Sequence, residues 1–159
     1  MLKKAFQQPD TQFSETRTFT NRIEVQKSFF NYLELQNFSV HEIDGDGNCV
    51  FRSVSHQREN DDANHLYYRI LATQFLKNQK DKYQGFVADN QKPFEKYIEN
   101  MAKPKAWGGH LELIALSGVL GVKFVVIRDD HSAIAINYFE IYEDGNHPDL
   151  PILYLSYAQ

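Results

Sequence analysis

The chain has 159 residues, 42% of them hydrophobic, which predicts one domain with a single buried core. Its 17 Lys and Arg and 21 Asp and Glu give a net charge of −4 without a basic block, which argues against nucleic acid as a partner. One cysteine allows neither an internal disulfide nor a cysteine-based zinc site, and no apolar run reaches the length of a membrane span. We therefore expect an intracellular monomer with a protein or peptide partner and no membrane contact.

The predicted elements begin after a polar segment. Residues 1–20 are rich in Thr and Gln and predict a flexible lead-in, so the domain is expected to span residues 21–159. Apolar residues at helical spacing predict a helix over residues 21–36, with Asn21 as N-cap and Glu24 completing a capping box. The alternating segment NFSVHEI predicts a short strand, and CVFRSVSHQ predicts a helix that begins at or next to Cys49.

The second half of the sequence mixes helices and strands. HLYYRILATQFLKNQ predicts a helix whose buried face carries Leu66, Ile70 and Phe75 or Leu76. Two more helices are expected in FEKYIENM and in WGGHLELIALSGVLG, the second ending at Gly121. Strands are predicted in KFVVIRDD, AINYFEIYE and PILYLSY. Because the helices and strands do not strictly alternate, the expected class is α/β (α+β), with a mixed β-sheet flanked by helices.

The stretch DGDGNCVFRS, residues 44–53, places the only cysteine at a strand-turn-helix junction. A helix N-terminus favours negative charge and makes Cys49 more reactive than a buried thiol. The glycines of the turn permit positive φ angles that aim backbone N–H groups at one point, as an oxyanion hole requires, and Asp46 is placed to hydrogen-bond the loop. A calcium loop of the EF-hand kind that starts at Asp44 would need a bidentate acid at its twelfth position. Ser55 stands there, so a calcium site is not expected. From these residues alone, Cys49 is either a nucleophile or an inert core cysteine.

Two motifs together resemble a known family. DGNCVFRS at 46–53 resembles the D-G-N-C signature of the ovarian tumour (OTU) family of cysteine deubiquitinases. WGGHLELIALSGVLGVKFVVI at 107–127 resembles that family's W-G-G-x-x-E-L segment and the core strand after it. The resemblance implies a papain-like fold, ubiquitin or polyubiquitin as partner, hydrolysis of the isopeptide bond at the ubiquitin C-terminus, and no metal or cofactor.

The resemblance also implies roles for single residues. Cys49 would be the nucleophile. The oxyanion loop would consist of Asp46, Gly47 and Asn48, and the channel for the Gly-Gly tail of ubiquitin would be bounded by Trp107, Gly108 and Gly109.

A thiol of this kind needs a histidine as base, and three alternatives stay open. In the family, that histidine follows the last strand in an H-Y-[ND] sequence, so the first alternative is a natural protein that continues beyond Gln159. The second is His147 in EDGNHPDL, although Pro148 replaces the expected aromatic residue and a plain turn histidine is the simpler interpretation. The third is a catalytically dead ubiquitin-binding module. His41 lies on the strand before the cysteine loop, and the other histidines are predicted at the surface or at helix ends: His56, His65, His110 and His131.

The sequence thus predicts a cysteine-type isopeptidase, a ubiquitin thioesterase or deubiquitinase. Its expected place of action is the cytoplasm, either of its own cell or of a host into which it is delivered.

Overall fold

The computed structural model describes residues 2–4, 15–87, 93–136 and 149–157. The helices are Glu15–Leu35 (α1), Cys49–Glu59 (α2), His65–Asn78 (α3), Lys80–Tyr83 (α4), Phe94–Met101 (α5) and His110–Leu120 (α6), with a 3₁₀ turn at Gln84–Phe86. The strands are Leu2–Lys4 (β1), Val40–His41 (β2), Lys123–Arg128 (β3), Ala133–Ile136 (β4) and Ile152–Tyr157 (β5). No helix in these ranges is both long and apolar enough to cross a membrane.

The strands form a single mixed sheet in the order β2-β1-β5-β3-β4. The β1, β2, β3 and β5 strands pair in parallel, whereas β4 returns antiparallel to β3 after a tight turn. This turn places His131 at φ 66°, and its backbone N–H donates to the Arg128 carbonyl at 2.9 Å. The predicted mixed sheet flanked by helices is confirmed.

Two hydrophobic clusters are formed by the residues that the structure describes. The larger joins the sheet to α2, α3, α5 and α6, and α2 enters it with Cys49, Val50, Phe51 and Val54 all buried. The α6 helix is apolar on most sides, as expected for a helix inside the core. A smaller cluster of Phe29, Leu33 and Ile127 fixes α1 to the sheet. The helix that begins at Cys49 is therefore part of the main core.

The structure corrects two helix predictions. The first helix begins at Glu15, so Asn21 lies inside α1 and is not its N-cap. The buried face of α3 carries Tyr68, Ala72 and Leu76 together with the polar Arg69 and Thr73, while Leu66 and Ile70 are 45% and 46% exposed. The prediction considered apolar residues only, whereas the observed buried face includes a buried arginine, Arg69.

Other predicted boundaries lie closer to the observed ones. The strand predicted in AINYFEIYE begins two residues earlier, as β4, and residues 137–143 of that prediction lie outside the described residues. The predicted division into a lead-in of residues 1–20 and a domain from residue 21 stays a prediction, although α1 runs across that boundary.

Candidate active site

Cys49 is the first residue of α2, as its sequence context predicts, and it is 3% exposed. Asn48 precedes it as the N-cap residue, with φ −103° and ψ 2°. The backbone N–H groups of a first helical turn have no partner within the helix, and together with the helix dipole they favour an anion at this end. The thiol of Cys49 therefore lies at the helix end that favours an anion, while the burial of its side chain opposes charge there.

The loop before Cys49 depends on a glycine. Gly47 has φ +84°, and a Cβ atom built there would lie 2.1 Å from the carbonyl oxygen of Lys105. Backbone cannot move aside as a flexible side chain can, so only glycine fits at this position. The loop consequently packs directly against the segment that leads to Trp107.

The carboxylate of Asp46 folds back onto its own loop. Its Oδ1 accepts the Asn48 backbone N–H at 2.9 Å, and its Oδ2 accepts the Asn48 side-chain amide at 2.9 Å. Arg52, one turn into α2, donates to the same Oδ2 from Nη2 at 3.0 Å and from Nε at 3.3 Å. Partial burial raises the pKa of Asp46, but the hydrogen bonds from Arg52 and Asn48 outweigh that effect and hold the pKa well below its ordinary value.

Asn48 is 3% exposed, and both polar atoms of its side chain are hydrogen-bonded. While its amide nitrogen donates to Asp46, its Oδ1 accepts the Lys105 backbone N–H at 2.8 Å and Nη2 of Arg69 at 2.9 Å. The Asn48 side chain thus connects the loop to residues on the far side of the site.

The segment Trp107–Gly109, which we call the tail wall, is held by a buried glutamate. Glu112 is 1% exposed, and its Oε2 accepts the backbone N–H of Gly109 at 2.6 Å. Its Oε1 accepts the hydroxyl of Tyr97 from α5. Burial raises the pKa of Glu112, and burial together with this carboxyl raises the pKa of Tyr97, so Tyr97 acts as a hydrogen-bond donor.

The two glycines of the tail wall differ in their surroundings. A Cβ at Gly108 would lie 3.0 and 3.1 Å from two ring carbons of Phe51, whereas at Gly109 the nearest atom, Oε2 of Glu112, would be 3.9 Å away. A cavity of about 470 Å³ opens beside this wall. It is lined by the wall itself, by the first turn of α6, by Tyr97 and Met101, and by residues of the sheet: Val126, Arg128, Ile134, Ile136 and Tyr157.

Sequence reasoning alone gave no role to Arg69, Glu112 or Tyr97. The spacing of the W-G-G-x-x-E segment was a signal for Glu112, because an acid three residues after an N-cap is typical of a capped helix. Nothing in the sequence indicated that Arg69 would be buried.

The histidines separate into distinct groups. His147 lies outside the described residues. His56 lies seven residues after Cys49 on the same helix, roughly 10 Å of helical rise away and out of hydrogen-bond reach. His41 stacks on His56 with ring centroids 3.8 Å apart, which ties its ring to that position as well. His131 stacks on Tyr32 at 4.0 Å, on the α1 side of the molecule.

Two histidines lie nearer the site. His110 is exposed at the start of α6 and lines the cavity beside the tail wall. His65 begins α3; burial first, and then the charge of Arg52, lower its pKa. No cluster of three or more His, Cys, Asp or Glu that would hold a metal ion occurs in the part of the chain that the structure describes.

A thiol at a helix N-terminus, preceded by a tight glycine-containing loop, is an arrangement that cysteine hydrolases use. The chain belongs to the OTU-like cysteine protease family, whose model matches residues 44–159. Ovarian tumor domain-containing deubiquitinating enzyme 10 of Arabidopsis thaliana is 34% identical over 97 residues, which are 61% of this chain and 26% of that protein. The chain spans between 10% and 26% of the lengths of the curated relatives it first matches.

Solved structures agree on the fold. The OTU domain of OTUD1 superposes with a TM-score of 0.69 at 22% identity, covering 90% of this chain and 92% of that one. An ovarian tumor domain solved in complex with ubiquitin superposes with a TM-score of 0.56 at 24% identity, covering 64% and 58%. The fold is therefore the papain-like fold of OTU domains, as predicted.

Proposed function

We propose that this chain is a deubiquitinase that hydrolyses the isopeptide bond between the C-terminal glycine of ubiquitin and a lysine amine. The observation that carries the proposal is the placement of Cys49 at the start of α2, behind a loop fixed by Asp46 and Asn48. A relative named as a deubiquitinating enzyme and a neighbour solved with ubiquitin support the choice of substrate. Ubiquitin or polyubiquitin is the proposed partner.

The proposed reaction has two halves. The Cys49 thiolate attacks the carbonyl carbon of the terminal glycine, and the carbonyl electrons move to oxygen. There the oxyanion is stabilised by backbone N–H groups of the loop before Cys49 other than that of Asn48, which Asp46 already holds. The intermediate collapses to a thioester as the C–N bond breaks, and the lysine amine leaves with a proton from the histidine. Water then attacks the thioester, which releases the ubiquitin carboxylate and restores the thiol.

The remaining site residues follow this scheme. Asp46 keeps the loop in shape through Asn48, and the tail wall, Trp107–Gly109, borders the path of the Gly-Gly tail into the site. The base stays a prediction: it is a histidine after the last strand, as in the family, or His147.

The test is the intact mass of the protein after incubation with ubiquitin that carries a C-terminal propargylamide. We expect a covalent adduct with the wild-type chain and none with Cys49→Ala. Turnover of ubiquitin with a fluorogenic C-terminal amide should follow the same order. His147→Ala, measured beside the wild type, tests whether His147 is the base, because loss of the base should slow turnover by about 100-fold or more.

Absence of both adduct and turnover would contradict the proposal. If Cys49→Ala and wild type then bound ubiquitin equally well by calorimetry, the alternative of a ubiquitin-binding module without turnover would be established.

A further inference from the structure

Arg69 of α3 is fully buried and hydrogen-bonded to both sides of the site. Its Nη2 donates to the Gly47 carbonyl at 3.0 Å and to the side-chain oxygen of Asn48 at 2.9 Å. Its Nη1 donates to the carbonyls of Met101 at 2.9 Å and Ala106 at 2.8 Å. One planar group therefore connects the loop before Cys49 with the segment that leads from α5 to the tail wall.

A ring contact adds a second connection between the same parts. The guanidinium carbon of Arg69 lies 4.3 Å from the centroid of the Phe51 ring, and Phe51 is itself fully buried in α2. The edge of that ring is what a Cβ at Gly108 would meet at 3.0 Å. Arg69, Phe51 and Gly108 therefore form a continuous contact from α3 through α2 to the tail wall.

The charge of Arg69 is not cancelled by a close carboxylate. Its acceptors are three backbone carbonyls, an amide oxygen and, at 3.9 Å, the sulfur of Met101. No ion pair joins Arg69 to any acid among the described residues. Burial lowers the pKa of Arg69, whereas the fields of Glu112, Asp46 and Cys49 raise it. An interaction in which the Cys49 anion favours the Arg69 cation also favours the Cys49 anion, because Coulomb interactions are mutual.

We propose that Arg69 is a positioning residue of this site: it fixes the loop before Cys49 against the tail wall and keeps a buried positive charge near the thiolate. This role rests on the proposed function, because positioning matters only if Cys49 reacts. A purely structural arginine would stabilise the domain without a particular effect on turnover. All four hydrogen bonds that Arg69 donates to main-chain or amide oxygens end on the two segments that bound the site, which favours the positioning role.

The test compares Arg69→Met, Arg69→Lys and the control Thr73→Ala. Thr73 lies one turn further along the same buried face, and its hydroxyl donates only within α3, to the carbonyls of Arg69 and Ile70. Met fills similar space without donors or charge, whereas Lys keeps the charge but loses the fork that serves two segments at once. Kinetics with the fluorogenic ubiquitin amide, ubiquitin affinity in a Cys49→Ala background and urea unfolding are measured for each variant.

We expect Arg69→Met to lower kcat by about 100-fold or more while the ubiquitin Kd changes less than about threefold. Arg69→Lys should recover about tenfold of that loss through its charge, and Thr73→Ala should keep kcat within about threefold of the wild-type value. Equal kcat losses in Arg69→Lys and Thr73→Ala would overturn the proposal. If Arg69→Met does not fold, the comparison of kcat between Arg69→Lys and Thr73→Ala still decides the question.

A failure of the positioning role can be told apart from a failure of the proposed function. If the wild type shows neither adduct nor turnover, the function fails, and amide hydrogen exchange then tests the positioning. Arg69→Lys should speed exchange in residues 45–48 and 103–107 together, and leave Lys123–Arg128 unchanged. Unchanged exchange in both site segments would overturn the inference on its own.

Discussion

The loop before Cys49 and the tail wall are both held by a carboxylate, yet the two carboxylates behave in opposite ways. Asp46 is partly exposed and receives hydrogen bonds from the cation Arg52, which favour its ionised form. Glu112 is buried, and its hydrogen-bond donors are neutral: the Tyr97 hydroxyl and the backbone N–H groups of Gly109 and of Glu112 itself. The pKa of Asp46 is therefore lowered and that of Glu112 raised. Burial and the charge of the partner, rather than the carboxyl group itself, decide the direction.

The glycines of the two regions differ as well. Gly47 is required by its backbone angle and by the nearby Lys105 carbonyl, whereas Gly108 is required by the space that the Phe51 ring occupies. Gly109 has neither constraint, since its nearest neighbour would be at an ordinary contact distance. Of these three glycines, one is therefore required by its backbone angle and a close carbonyl, one by the space next to a ring, and one by neither.

The largest effect is expected from Gly47→Ala. The new Cβ would lie 2.1 Å from a backbone oxygen at a φ of +84°, so the loop must move or the variant must unfold. We expect a loss of at least about 2 kcal/mol in the free energy of unfolding, and a rate of ubiquitin-propargylamide adduct formation lowered about 100-fold. Urea unfolding and intact mass over time measure the two effects.

Gly85→Ala is the matched control for that variant. Nothing lies within 4 Å of a Cβ at Gly85, so its stability should stay within about 0.5 kcal/mol of wild type. Equal behaviour of the two alanine variants would show that the loop is not held as the structure indicates.

A smaller effect is expected within the tail wall, from Gly108→Ala compared with Gly109→Ala. The first must displace a buried ring that also contacts Arg69, and overpacking of this kind costs about 1–3 kcal/mol. The second makes only an ordinary contact with Glu112, and should cost less than about 1 kcal/mol as a change of N-cap residue. Chemical denaturation ranks the pair, and a larger loss in Gly109→Ala would contradict the assignment of Gly108 to the Phe51 contact.

The smallest effects concern pH, and here the two regions should differ in sign. Because the pKa of Asp46 is lowered in the fold, its stabilisation is present above its ordinary value of 3.8 and is lost as pH falls through the folded value. Because the pKa of Glu112 is raised in the fold, protonated Glu112 contributes stability. That stability is fully present below the ordinary pKa of 4.5 and is lost as pH rises through the folded value.

Asp46→Asn and Glu112→Gln separate the two contributions. Relative to wild type, Asp46→Asn should gain as pH falls below 3.8, and Glu112→Gln should gain as pH rises above 4.5. Free energies of unfolding from urea titrations across this pH range check both slopes. Parallel curves for wild type and either variant would show that the corresponding carboxylate does not titrate as its contacts indicate.

Short-range patterns in the sequence were reliable where the physics is local. The helix start at Cys49, the α5 helix, the α6 helix ending at Gly121 and the β3 strand follow from spacing, turn residues and C-cap glycine, all of which act within a few residues. The predicted start of α1 is wrong, and Leu66 and Ile70 are not on the buried face of α3, although Leu76 is. In both helices, polar residues occupy positions that an apolar pattern does not mark.

By itself, the sequence determined the class of fold, the place of the thiol at a helix N-terminus and, through its two motifs, the family. Only the tertiary structure decided how the loop and the tail wall are held. Arg69 meets Gly47 across 22 residues and Ala106 across 37, and Asn48 meets Lys105 across 57. A buried polar group must find its partners wherever the folded chain supplies them, and those partners come from segments that local spacing does not relate.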